Sequence, residues 1–406
     1  MRELLFLFCL FFFSLKVSPA QDYPYDIDQY PFIHYRSNRL TQIKNAPGFA
    51  AFYSKWQNIV VGKDTKLEIL HLGDSHIQAD FFTGRVRQRV QSFSAGAEGA
   101  RGIVFPYNLA ETNNPGNYII ESENNWQVVN ALKISDSKTG IIPLKLTTTD
   151  SLIKLRVTQK DDAINTEFNE IEFWYHASDT VNLLTPGNQV VHLKKGYGRV
   201  ALTLTDFTKE AELTLYRLGD SVPFELFAVW LKNSLPGITY HALGLNGARA
   251  KDFVLCDNLS RFLQFVTPDV IVISLGTNDI YSNNPDLPAF REYYSRLIAD
   301  IRKVFPEKAI ILTTPGDHFV HRAAANVHVE EAGQIIKDIA REHQCAVWDF
   351  YEIMGGYESV SQWRRYGLGA KDLVHLSPKG YRLQGDLFFN ALLRYFEKQY
   401  FPAKNE

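Results

Sequence analysis

The pattern of hydrophobic and polar positions changes character twice along the chain. Lys66-Leu-Glu-Ile-Leu-His-Leu72 is a short apolar, β-prone run that ends at Gly73-Asp74-Ser75-His76, and a helix-compatible stretch follows from Phe81 to Gln91. The same grammar returns at Asp269 to Leu275, a continuous apolar run of the kind buried in parallel sheets. It ends at Gly276-Thr277-Asn278-Asp279 and is followed by a helical segment from Ala289 to Val304. Strands from Ala309 to Thr313 and from Cys345 to Asp349, with helices from Ala324 to His343 and from Pro378 to Phe396, continue the series. Alternating strands and helices of this length predict a parallel α/β sheet covered by helices on both faces.

Between Phe105 and Pro236 the helical periodicity disappears. β-prone runs at Ile141–Thr147, Leu152–Thr158, Glu170–Tyr175, Gln189–Leu193, Val200–Leu204, Glu212–Tyr216 and Phe224–Leu231 are separated by turns rich in Asp, Asn, Gly and Ser. About seven short strands at this spacing predict a β-sandwich, so residues 105–235 are expected to be an all-β domain inserted into an α/β domain formed by 21–104 and 236–406.

Composition bounds the partners. At 406 residues and 45% hydrophobic, the chain can build two folded units. A formal net charge of -2 provides no broad basic field for nucleic acid or an anionic membrane. Arg2, the apolar run Leu4 to Leu15, and Ser18-Pro19-Ala20 predict a signal peptide over residues 1–20 and export to the periplasm or beyond. Lys16 ends the apolar run well short of the ~20 residues that span a bilayer, so no membrane insertion of the mature chain is expected. Cys256 and Cys345 would remain, either paired or as two buried thiols.

Candidate chemistry gathers in the turns. A serine on a strand-to-helix turn, as Ser75 is, stands where the carboxyl ends of parallel strands collect, although Gly-Asp-Ser alone also suits a helix cap. Asp372-Leu-Val-His375, in a glycine-flanked loop before the last helix, changes that balance. A serine nucleophile needs a neutral imidazole to take its proton, and that imidazole needs an acceptor on its other nitrogen. Ser75, His375 and Asp372 meet these needs. An acyl-transfer site also needs donors for the developing oxyanion; the backbone N–H of Ser75, the unobstructed N–H of Gly247 and the amide of Asn278 are candidates. His76, Asp279 and Trp363 are further candidates for substrate contact, with packing preferred for His76. Trp126, Trp174, Tyr175 and Tyr197 of the insert could stack on sugar rings or fill its core.

Serine in Gly73-Asp-Ser75, glycine at Gly247, asparagine in Gly276-Thr-Asn278-Asp and histidine in Asp372-Leu-Val-His375 together resemble the four blocks of the SGNH/GDSL hydrolase family. Within it, His71-Leu-Gly-Asp-Ser-His-Ile-Gln-Ala-Asp80, Pro236 to Ala248, Trp348 to Gly356 and His375-Leu-Ser-Pro-Lys-Gly-Tyr381 resemble peptidoglycan O-acetylesterases and O-acetyltransferases that carry a carbohydrate-binding-like β-sandwich. His76 departs from the leucine of the commoner Gly-Asp-Ser-Leu block. The resemblance implies a flavodoxin-like three-layer α/β/α domain with an inserted all-β sandwich, and hydrolysis of an acetylated glycan without metal or other cofactor. An O-acetyltransferase, a xylan esterase and a non-catalytic glycan-binding protein are the alternatives. Two-metal phosphoester chemistry on the string His71 to Asp80, where an Asp and a His are separated by one residue, is a further rival.

Overall fold

The computed structural model describes residues 27–400 except 135–137, 162–163, 165, 185–189 and 218–222. The signal-peptide expectation for 1–20 lies outside the described residues.

Five strands form the parallel sheet: β1 (Lys66–Gly73), β2 (Gly237–Gly244), β3 (Val270–Ser274), β4 (Ala309–Thr313) and β5 (Ala346–Trp348). Their order is β2-β1-β3-β4-β5, and Leu40–Thr41 adds an antiparallel pair at the β5 edge. This is the flavodoxin-like 2-1-3-4-5 order, which places a topological switch point between β1 and β3. The strands read as unbroken apolar runs because both faces are covered. Ile69, Val272, Ile311 and Trp348 share a core with α1 (Phe49–Val60), α2 (Phe81–Gln91) and α5 (Pro378–Tyr400). Leu70, Ile273, Leu312 and Val347, one residue out of step, join α3 (Leu287–Val304) and α4 (Val329–Glu342) on the opposite face.

Between β1 and β2 the chain builds two antiparallel sheets. The first contains, in spatial order, Val190–Leu193, Val181–Leu184, Glu210–Arg217, Leu152–Gln159 and Tyr118–Glu121. The second contains Gly196–Thr208, Phe168–Ala177, Phe224–Lys232, Leu144–Thr148 and Gln127–Asn130. Along Leu152–Gln159 burial alternates, with Ile153, Leu155 and Val157 inward. The second sheet is buried on its other face too. Trp174 stacks on Phe262 at 5.7 Å and 8°, and Phe227 lies 4.6 Å from the same ring. Phe262 belongs to the helix Leu259–Leu263 of the α/β domain, so one apolar core runs across both units.

Several expectations shift. The second sheet includes Gly102–Val104, paired with Phe224–Lys232, so the insert's pairing starts before residue 105. The helix expected from Ala324 begins only at Val329, because Ala324–Ala325 pairs with Phe319–Val320 and Asn326 Oδ1 then accepts the His328 N–H. The aromatic candidates of the insert are largely structural: Trp174 and Tyr175 are buried, and Tyr197 is held at the junction by Asn258 and the Arg261 guanidinium. Trp126 is half-buried against the same core. Cys256 and Cys345 are free and buried, not paired. Among the described residues, no helix is long and apolar enough to cross a membrane.

Candidate active site

β1 ends at Gly73, where the chain passes through Asp74 into the short helix Ser75–Gln78. The Asp74 carboxylate caps that helix by accepting the His76 N–H at 3.0 Å. Gly73 is required here: a Cβ would lie 2.4 Å from Ile77 Cγ1 and 2.6 Å from the Ser274 carbonyl oxygen. Close packing of the turn against β3 thus fixes Ser75 at the switch point.

The base comes from a different kind of turn. Asp372 Oδ1 accepts the N–H groups of Val374 and His375, each at 3.0 Å, with Leu373 between them in the left-handed region at φ 60°. This local wrapping leaves Oδ2 to accept the His375 Nδ1–H at 2.8 Å. With Nδ1 protonated, Nε2 is an acceptor, and the Ser75 hydroxyl donates to it at 2.8 Å. Burial works to raise the Asp372 carboxyl, but hydrogen bonds from the His375 side chain and from the Val374 and His375 N–H groups prevail and hold it below its ordinary value. Asp372 therefore stays ionised against the imidazole.

A cleft of about 410 Å³ opens beside this chain of contacts, lined on one side by Ser75, Gly247, Asn278 and His375. Ala79, Phe81, Asn113, Asn246 and Tyr381 complete it. Gly247, at φ 79°, turns the loop after β2 toward Ser75. Among the described residues, neither the Ser75 nor the Gly247 backbone N–H has an acceptor.

Residues 217–383 match the GDSL-like lipase/acylhydrolase family. The match takes in Gly247, Asn278, Asp372 and His375, while Ser75 lies before it, beyond the inserted sheets. A structure of a peptidoglycan O-acetylesterase in action superposes with a TM-score of 0.73 at 23% identity, covering 88% of this chain and 99% of that one. The chain has the SGNH hydrolase fold. An acetyl xylan esterase (21% identity, 38% of this chain, 81% of that one, TM-score 0.32) is also similar in part. So is the lipase/acylhydrolase from Enterococcus faecalis (25% identity, 42% and 80%, TM-score 0.32). No curated protein matches the chain.

Asn278 faces the cleft, but its amide is engaged, donating to the Ala248 carbonyl at 3.1 Å and lying 3.4 Å from Asp74 Oδ2. The Asp74 carboxyl, sealed beneath the turn, is pushed up to about 7 by burial. His76 packs beside His375 with ring centroids 5.0 Å apart, and its Nδ1 is 2.8 Å from the Tyr381 hydroxyl. Burial, then the neighbouring His375 and His318, holds His76 well below the ordinary histidine range, so it is neutral. Its backbone, not its ring, contacts Asp74, and the two side chains do not converge as metal ligands.

Two sequence candidates are corrected. Asp279 does not line the cleft; its carboxylate accepts the Ala250 N–H at 3.1 Å and braces the asparagine loop against the glycine loop. Trp363 is fully buried, donating to the Met354 carbonyl, and cannot reach a substrate. Sequence reasoning missed Gln78, which is 1% exposed. Gln78 Nε2 donates to Thr112 Oγ1 and the Asn113 carbonyl at 3.1 and 2.7 Å, and its Oε1 accepts the Asn246 N–H at 2.7 Å. It ties both walls of the cleft to the helix that carries Ser75. Its position, three residues after Ser75 and hence on the same helical face, was the available signal.

Proposed function

We propose that this protein is a serine esterase that removes O-acetyl groups from a cell-wall glycan, with peptidoglycan the first choice, through an acyl-enzyme on Ser75. The observation that carries the reading is the unbroken chain Ser75 Oγ, His375, Asp372, with 2.8 Å at both links, beside two backbone N–H groups that have no acceptor among the described residues. The family match and the shared fold with a peptidoglycan O-acetylesterase support the chemistry and the substrate class.

In this mechanism His375 Nε2 takes the Ser75 proton as Oγ attacks the acetyl carbonyl, and Asp372 stabilises the imidazolium. The N–H groups of Ser75 and Gly247 receive the oxyanion. Asn278 joins them by giving up its long contact to Asp74, a tightening expected when a substrate fills an apo site. His375 then protonates the departing sugar oxygen, and water repeats the cycle to release acetate. The enzyme is proposed to act outside the cytoplasm, in the periplasm or beyond, where that glycan lies.

Acetate release from O-acetylated peptidoglycan, acetylated xylan and ethyl acetate, with and without an added glycan acceptor, tests the reading. Ser75→Ala is expected to lose activity by on the order of 10⁶-fold in kcat, and chelators to leave it unchanged. A folded Ser75→Ala protein with normal turnover sinks the proposal; acetyl transfer to the acceptor in place of free acetate makes it a transferase.

A further inference from the structure

Phe81 is 42% exposed and lines the same cleft as Ser75 and His375. A lone exposed aromatic is ordinary on a protein surface, but this one follows a residue anchored by many contacts. The residue before it, Asp80, lies in the left-handed region at φ 53°, a costly conformation for a residue with a side chain. Its buried carboxylate receives hydrogen bonds from Thr83, from both terminal nitrogens of Arg87 at 2.9 Å, from Arg101 at 2.8 Å and from Asn117 at 2.6 Å. Those contacts fix the backbone from which Phe81 projects. The Tyr381 ring lies nearly parallel beside that of Phe81, with centroids 6.2 Å apart and an angle of 14°. Tyr381 is itself held by His76.

In the same cleft, Asn113 presents a second unusual combination. Its backbone carbonyl is anchored by Gln78, and its neighbour Thr112 is held by Gln78 and Asn246. Yet its exposed side-chain amide has no hydrogen-bond partner among the described residues. Asn113 belongs to the segment between β1 and β2, so the insertion itself supplies one wall of the site.

We propose that this cleft is a one-sugar subsite, in which a pyranose ring of the acetylated glycan lies against the exposed Phe81 ring and is hydrogen-bonded by the Asn113 amide. The inference rests on the esterase reading above. A pyranose offers an apolar C–H face and a rim of hydroxyl or N-acetyl groups. An aromatic ring with an amide that has no partner among the described residues, both a donor and an acceptor, complements that arrangement. The ester oxygen then sits toward His375 and the sugar toward Phe81, so the ring that leaves is the ring that is recognised.

The test compares Phe81→Ala, Phe81→Trp and Asn113→Ala on O-acetylated peptidoglycan fragments, ethyl acetate and an ethyl ester of octanoic acid. For Phe81→Ala, kcat/KM on the glycan is expected to fall about tenfold more than on ethyl acetate, chiefly through KM, with Phe81→Trp restoring it. Asn113→Ala is expected to give a differential loss of about fivefold. Titration of an N-acetylglucosamine–N-acetylmuramic acid disaccharide into Ser75→Ala is expected to show binding that the added Phe81→Ala change weakens about tenfold. Equal losses on glycan and ethyl acetate, or equal disaccharide binding with and without Phe81, overturn the subsite. A larger loss on the octanoate ester also overturns it, because the ring would then serve an acyl chain. If the wild-type protein cleaves ethyl acetate but no acetylated glycan, the glycan reading fails and the subsite with it. Glycan cleavage indifferent to Phe81 and Asn113 defeats the subsite alone.

Discussion

Ser75 and His375 meet at 2.8 Å, but they are delivered by structures of opposite kind. Around Ser75 the chain is sealed: Asp74, Ile77 and Gln78 are each 2% exposed or less, and the turn is held by contacts to β2, β3 and the insert. Around His375 the chain is open, with the side chains of Asp372 and His375 33% and 38% exposed and the decisive hydrogen bonds made within one four-residue turn. The nucleophile is placed by long-range packing, and the base by local hydrogen bonding. Changes on the base side should therefore act on chemistry with little effect on stability, and changes on the nucleophile side should act on both.

Short of removing the nucleophile itself, the largest expected effect lies on the base side. Asp372→Asn replaces the acceptor for His375 Nδ1–H and favours the wrong tautomer; kcat is expected to fall on the order of 10³–10⁴-fold. Because the carboxyl is a third exposed and its bonds are local, the melting temperature is expected to move by only a few degrees. Steady-state kinetics paired with a thermal melt checks this. A large loss of stability would erase the contrast between the two turns.

On the nucleophile side, Gly73→Ala forces a Cβ against Ile77 and the Ser274 carbonyl, and is expected to cost about 3 kcal/mol. Activity of the folded fraction should fall as well, since Ser75 must shift with its turn. Denaturant unfolding together with burst titration of the serine separates the two losses. Unchanged stability would mean that the turn is not packed as described.

Gln78→Leu keeps the volume but leaves the Asn246 N–H and the Asn113 carbonyl without their partner. The expected cost is about 2 kcal/mol of stability, with a 10–100-fold loss in kcat/KM as the Gly247 loop loses register with Ser75. If stability falls while kcat/KM of the folded enzyme holds, Gln78 is a strut for the insert and not a positioning residue.

This contrast also explains what the sequence made legible. Asp372 and His375 could be paired on paper because three-residue spacing in a turn is a local property. Ser75 was readable from the apolar run that ends at Gly73. The parallel sheet followed from its continuous apolar strands, but β2 did not announce itself: Thr239 and His241 interrupt the apolar run, and His241 is buried with the Ile103 N–H donating to its Nδ1. The role of an aromatic in the insert depends on its partner, and nothing in the local sequence of Trp174 points to Phe262. Asn113 was invisible for the same reason, since only Gln78, far away in sequence, brings it to the site. Trp363 misled because its residue type suits a sugar platform, and the exposed platform candidate is the plainer Phe81.

The sealed side should also carry a pH dependence of stability between pH 7 and pH 5, above the range in which the lowered Asp372 carboxyl of the open side acts. His71, on β1, is fully buried between the Tyr240 hydroxyl and Ser274 Oγ, each at 2.7 Å. Burial pushes it down to about 3, against a smaller opposing pull from Asp80. Between that value and the ~6.5 of an unfolded histidine, the unfolded state binds a proton that the folded state refuses. Stability from this group is therefore complete above about 6.5 and is lost as pH falls toward 3. Going from pH 7 to pH 5, His71 should withdraw about 2 kcal/mol from the native state. Asp74, pushed up to about 7, acts with the opposite sign, its folded form favouring the proton and so losing stability as pH rises. Other buried groups, His241 and Asp279 among them, are shifted in the same two directions, so the net slope of the parent protein mixes several contributions and a difference measurement isolates one. His71→Asn should be the less stable protein at pH 7, and the gap to the parent should narrow by about 2 kcal/mol at pH 5. Denaturant unfolding of both proteins at the two pH values decides it: a gap that does not change would mean that His71 is protonated in the fold, and that β1 is not sealed beneath the serine.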